Sequence, residues 1–141
     1  MKQRLIYIAG PYTSKATGYR TQLYEQGMRA NVITRYAALL MEQHGVAVFS
    51  PVTHGHAIWM ASGCELGRDA AAWAAVNDPI MALCNEIHVL RLRGWDTSAG
   101  VKREIEHFAQ RLIAPLFVDL PADFYRHARE RVACSPELDA A

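Results

Sequence analysis

Four short apolar runs alternate with longer helix-patterned segments along this chain, and that alternation restricts the fold more than any other feature. The runs cover residues 5–9, 46–50, 87–92 and 115–118. The first, Leu5-Ile6-Tyr7-Ile8-Ala9, is continuously apolar, as a parallel strand buried on both faces should be. Helices are expected over about 23–44, 68–76, 79–83 and from Gly100 onward. The first carries Val32, Ile33, Tyr36, Leu39 and Leu40 on one stripe, with Gly45 as its C-terminal glycine. In the fourth, Val101, Ile105, Phe108 and Leu112 recur at helical spacing. A last helix is expected over about 122–132, followed by a frayed tail. The order β-α-β-α-β-α-β-α predicts an α/β fold: a flavodoxin-like parallel sheet of four to five strands with helices on both faces. The 141 residues suffice for a single domain with a real core.

Composition removes several classes of function. The formal net charge is +1, so no strong field points to nucleic acid or to a membrane surface. No apolar run approaches the roughly 18 residues of a membrane span. The N-terminus lacks a signal-peptide pattern, and Cys64, Cys84 and Cys134 are scattered without a CxxC. Free thiols in a reducing cytoplasm are the simplest expectation.

The chemistry is expected after the third strand, in Gly94-Trp95-Asp96-Thr97-Ser98-Ala99-Gly100-Val101-Lys102-Arg103-Glu104-Ile105. Ser98 suits an N-cap. Gly100 leaves the backbone of the first turn open to a ligand. A helix start at the carboxyl end of a strand gathers free N–H groups and favours an anion. Glu104 falls on the margin of the apolar stripe, near Val101 and Phe108, where desolvation raises a carboxyl pKa. A surface glutamate would pair at i+4, but that position is Phe108.

Other candidates gather at the same sheet edge. Gly10-Pro11 ends the first strand, and residues 12–20 read as a mobile loop. Arg29, on the buried stripe near the start of the first helix, either packs its stem or faces the ligand. Arg20, from the loop, is a second candidate for an anion. After Pro51, residues 52–56 read as a loop carrying His54 and His56. His-x-His could hold a metal only with further ligands, for which Cys64 and Asp69 are nearest. Histidines lining a polar crevice are preferred, with no metal and no organic cofactor. Asn77-Asp78-Pro79 reads as a helix break, with Asp78 as an N-cap before a proline at the first helical position.

These residues also carry a resemblance. Ile6-Tyr7-Ile8-Ala9-Gly10-Pro11-Tyr12, then Phe49-Ser50-Pro51, then Gly94-Trp95-Asp96-x-Ser98-x-Gly100-Val101-x-x-Glu104-Ile105 resemble the nucleoside 2-deoxyribosyltransferase-like superfamily. Within it the chain is most similar to a bacterial and phage branch related to the 2'-deoxynucleoside 5'-phosphate N-hydrolases, over about residues 4–118. The resemblance implies Glu104 as nucleophile, Tyr7 as the residue that orients it, and Ser98 as the position that is serine in the phosphate-binding hydrolases. It also implies an acid near the leaving base, in the helix before the third strand. Ungapped counting puts Asn77 there and Asp78 next to it, so the pattern departs unless the register shifts by one at Pro79.

Two functions follow as expectations. One is an N-glycoside hydrolase or transferase acting on a nucleotide or nucleoside, with Glu104 attacking the anomeric carbon and Asp78 protonating the base. The other is a non-catalytic nucleotide or nucleotide-signal binding protein on the same fold. Gly10, Pro11, Trp95, Asp96, Gly100 and Val101 complete the expected binding set. The relatives imply a homodimer or higher homo-oligomer.

Overall fold

A computed structural model describes residues 2–63 and 70–125. Its elements are β1 (Leu5–Ala9), α1 (Tyr19–His44), β2 (Ala47–Phe49), α2 (Pro51–Ala61), α3 (Ala70–Met81), β3 (Glu86–Leu90), a 3-10 turn (Trp95–Thr97), α4 (Ala99–Gln110) and β4 (Leu116–Val118). The strands form one all-parallel sheet in the order β2-β1-β3-β4. This is the expected flavodoxin-like arrangement, with four strands among the described residues. The order reverses between β1 and β3, so the ligand crevice of such a fold lies at their carboxyl ends.

The central strands explain the continuous apolar runs. Ile6, Ile8 and Leu90 face one cluster with Ala30, Ile33 and Tyr36 of α1. Tyr7, Ala9, Ile87 and Val89 face the other, with Met81 of α3 and Val101 and Phe108 of α4. Each strand residue points to the face opposite its neighbour, so both faces are covered. Each large apolar side chain buried in this way contributes about 1.5–3 kcal/mol. Gly10, just past β1, is set by packing: a Cβ there would lie 2.8 Å from Ile33 Cδ1.

Several boundaries depart from the expectation. Helix α1 begins one turn earlier, at Tyr19, and ends as expected at Gly45, whose φ is 60°. The loop before it is pinned rather than mobile. Ser14 N donates to Gln26 Oε1, Gln22 Nε2 donates to Ala16 O, and the Ser14 hydroxyl bonds to Glu25. Residues 52–56 are not a loop but the first half of α2. The signals were local: Ser50 Oγ accepts from Thr53 N at 3.1 Å, and Pro51 opens the helix.

Helix α3 runs unbroken through Asn77 and Asp78, with Pro79 inside its last turn. Asp78 is therefore not an N-cap. Proline there removes only one late hydrogen bond, and the packing of Met81 holds the turn closed. Helix α4 stops at Gln110, and Leu112, expected on its stripe, is 95 % exposed at φ 59°. Of the last expected helix, 122–125 is helical, and the remainder lies outside the described residues, as do the expected start of α3, the frayed tail, Cys64, Asp69 and Cys134. Among the described residues, no helix is long and apolar enough to cross a membrane.

Candidate functional site

Helix α4 starts as its sequence predicts. Ser98 is the N-cap and accepts from Val101 N at 3.3 Å. Two turns on, Glu104 is not on the margin of the stripe but within it, buried between Val101 and Phe108. Helical side chains lean toward the N-terminus, so its carboxyl reaches back over Gly100. A Cβ on Gly100 would lie 3.9 Å from both Glu104 Oε1 and Ser98 Oγ. Ser98, Gly100 and Glu104 therefore surround one small space beside the helix start.

Tyr7 approaches the same carboxyl from the sheet. It is fully buried on β1, with its ring 5.7 Å from Phe108 and 5.9 Å from Phe49. Burial pushes the Glu104 carboxyl up to about 7, against the Tyr7 hydroxyl and Arg103, which pull it down, while Asp78 adds to the rise. Burial, and then the Glu104 charge, push the Tyr7 phenol far above its ordinary range. Despite this coupling, neither Tyr7 Oη nor Glu104 Oε2 has a hydrogen-bond partner among the described residues. Among the described residues, only Asn77 Oδ1 and His107 Nε2 share that condition. Buried polar atoms left unpaired are uncommon and call for a reason. All four belong to β1, α3 and α4, which pack on one face of the sheet.

Asp78 takes neither orientation that the sequence suggests. Its Oδ1 accepts from Arg103 Nη1 at 2.8 Å, tying α3 to α4. One further link, Arg111 Nη1 to Met81 O at 3.2 Å, runs between the same helices. Arg103, His107 and Arg111 thus line the side of α4 that faces α3. The first two bear on the site and escaped the sequence reading. Arg103 adjoins Glu104, and His107 lies one turn on, so spacing alone could have raised both.

The remaining candidates divide. Arg29 Nη1 donates to Tyr12 O at 3.0 Å and Thr13 O at 2.8 Å, holding the β1–α1 loop. Arg20 lies exposed in the first turn of α1. His56 Nδ1 is hydrogen-bonded to the Tyr12 hydroxyl at 2.6 Å, and burial lowers its pKa. His54 projects elsewhere, its ring 5.6 Å from Phe49. The two histidines are therefore not a joint ligand pair, and no cluster of three potential metal-binding side chains occurs among the described residues. Gly10 and Pro11 are buried at the end of β1. Trp95 packs on Phe117 at 5.4 Å, and Asp96 is exposed in the 3-10 turn.

Fold and site together define a parallel α/β domain with a buried carboxyl–phenol pair below the point where strand order reverses. Residues 4–118 match the family DUF1937, a domain of unknown function, and the chain belongs to that family. A search of curated proteins returns no match.

Proposed function

We propose that this domain is an N-glycoside hydrolase or transferase of the nucleoside 2-deoxyribosyltransferase-like type, with Glu104 as nucleophile and a nucleotide or nucleoside as substrate. The observation that carries the reading is the Tyr7–Glu104 pair: two buried oxygens, coupled to each other and with no hydrogen-bond partner among the described residues. A carboxyl kept near neutrality by burial is poised to ionise when positive charge develops beside it. An oxocarbenium-like sugar supplies that charge. Glu104 then attacks the anomeric carbon as the base leaves, and water or a second base releases the sugar. The Tyr7 phenol, raised by burial and by the Glu104 charge, remains a donor that can orient the carboxylate. Ser98 Oγ takes the Val101 amide expected to hold a 5'-phosphate, which leaves the Ser98 hydroxyl and the Ala99 and Gly100 amides to suit one on the same sugar.

A second reading has its own observation. Asn77 stands where an acid is expected, and its buried Oδ1 is unpaired, as suits a protein that binds a ligand without cleaving it.

Incubation with a panel of nucleosides and their 5'-monophosphates, with chromatographic detection of free base, separates the two. The glycosidase reading predicts base release by the wild type, and binding without release by Glu104→Gln. Tight binding with no base released by the wild type would support the sensor.

A further inference from the structure

A heterocyclic base leaves a sugar readily only when protonated, and the residues first considered for this task do not fill it. Asn77 is an amide, and Asp78 Oδ1 is engaged by Arg103. His107 lies one turn further along α4 than Glu104, away from the carboxyl edge of the sheet, with Nε2 shut off from solvent. We propose that His54 is the acid that protonates the departing base. The proposal rests on the glycosidase reading given above.

The placement has three parts. First, His54 lies in the opening turn of α2, directly beyond the carboxyl end of β2, and the Ser50 cap and Pro51 set that turn. Second, its ring is 5.6 Å from Phe49, and Phe49 is 5.9 Å from Tyr7. An unbroken row of rings therefore links His54 to the phenol beside Glu104. Third, the next residue, Gly55, lets α3 come close: a Cβ there would lie 3.2 Å from the Trp73 ring. Asn77 follows Trp73 by one helical turn. His54 thus stands on the Phe49 side of the Tyr7–Glu104 pair.

His54 is exposed, so it can exchange protons with solvent between turnovers. The nitrogen of a base that takes up the proton lies beyond the glycosidic nitrogen. Its acid therefore stands farther from the nucleophile than the roughly 5 Å of retaining O-glycosidases. In the first step the C1'–N bond breaks and the C1'–O bond to Glu104 forms. The bonding pair leaves with the base, which takes the proton from the His54 imidazolium. In the second step water attacks C1', neutral His54 accepts the water proton, and the Glu104 carboxylate departs.

The test compares two leaving groups on one sugar. Base release is measured with ribo- and deoxyribonucleoside 5'-monophosphates, and p-nitrophenol release with the p-nitrophenyl glycoside of the sugar cleaved. Nitrophenolate leaves without a proton. His54→Gln should lower the ratio of base release to nitrophenol release by about 10²–10⁴-fold, and added imidazole should restore base release in His54→Ala. Glu104→Gln should lose both rates together. An unchanged ratio in His54→Gln, or a ratio that collapses in Asp78→Asn instead, would overturn the assignment. Wild-type protein that releases neither product would refute the glycosidase reading itself, whereas nitrophenol release without base release would refute only the acid.

Discussion

Arg103 donates to Asp78 across α3 and α4 at 2.8 Å, and the two charges act on Glu104 with opposite signs. Arg103 and the Tyr7 hydroxyl favour the ionised carboxyl, and Asp78 opposes it. The pair therefore sets when the Glu104 carboxyl ionises.

That relationship predicts how the pH profile responds to substitution. Nucleophilic attack needs the carboxylate, so kcat/KM for nitrophenol release, which needs no acid, should rise with pH through about 7. Tyr7→Phe and Arg103→Gln should move this limb to higher pH, and Asp78→Asn to lower pH. Profiles measured on the three variants check the signs. If Asp78→Asn abolished base release at every pH while nitrophenol release persisted, Asp78 would be the acid and not a tuning charge.

Stability should carry the same signature. The Glu104 carboxyl titrates at about 7 in the folded protein, against 4.5 for the ordinary group. The folded state holds its proton more tightly, so the contribution of the neutral carboxyl is complete below 4.5 and lost as pH rises through about 7. The loss is on the order of 3 kcal/mol. Urea unfolding of wild type and Glu104→Gln should diverge across that window, with the variant the more stable above it. Parallel curves would contradict the burial of an ionisable group here.

Gly100 separates function from stability. Alanine there meets Glu104 Oε1 and Ser98 Oγ at ordinary contact distance, 3.9 Å. An exposed helical glycine replaced by alanine should gain up to about 1 kcal/mol. The added methyl fills the space beside the carboxyl, so Gly100→Ala should melt higher and turn over at least about tenfold more slowly. A variant that gained stability with full activity would place the substrate elsewhere.

Ser98 should report on the phosphate. Ser98→Ala removes the cap and should cost about 1 kcal/mol. If the first turn of α4 holds a 5'-phosphate, the variant should also lose affinity for a monophosphate more than for its nucleoside. Calorimetry on both ligands decides it, and equal wild-type affinity for the two would exclude a phosphate site.

The contrast between what the sequence conveyed and what it concealed has physical causes. Strand order, the Ser98 cap and the Gly45 terminus were legible because strand burial, capping and left-handed backbone leave local marks. The helix at His54 was missed because Pro51 read as the end of a strand and the start of a loop, whereas behind the Ser50 cap it opens α2. Pro79 read as the start of a new helix, but packing from Met81 holds the turn around it within α3. Glu104 was visible through its place beside an apolar stripe, but its depth was not. Pairings between distant elements left no trace at all. Asp78 read as a cap or an acid and is bound to Arg103; Arg29 read as a packed stem or a ligand contact, and its Nη1 holds the carbonyls of Tyr12 and Thr13.

The central claim is that Glu104 bonds to the sugar, and covalent trapping tests it most directly. A 2'-deoxy-2'-fluoroarabinonucleoside 5'-monophosphate carries an electron-withdrawing substituent that slows release of the glycosyl ester. Peptide mass spectrometry of protein incubated with it should show one fluorinated sugar phosphate on the peptide bearing Glu104, and none in Glu104→Gln. An adduct on a different side chain, or base release by Glu104→Gln at the wild-type rate, would contradict the account.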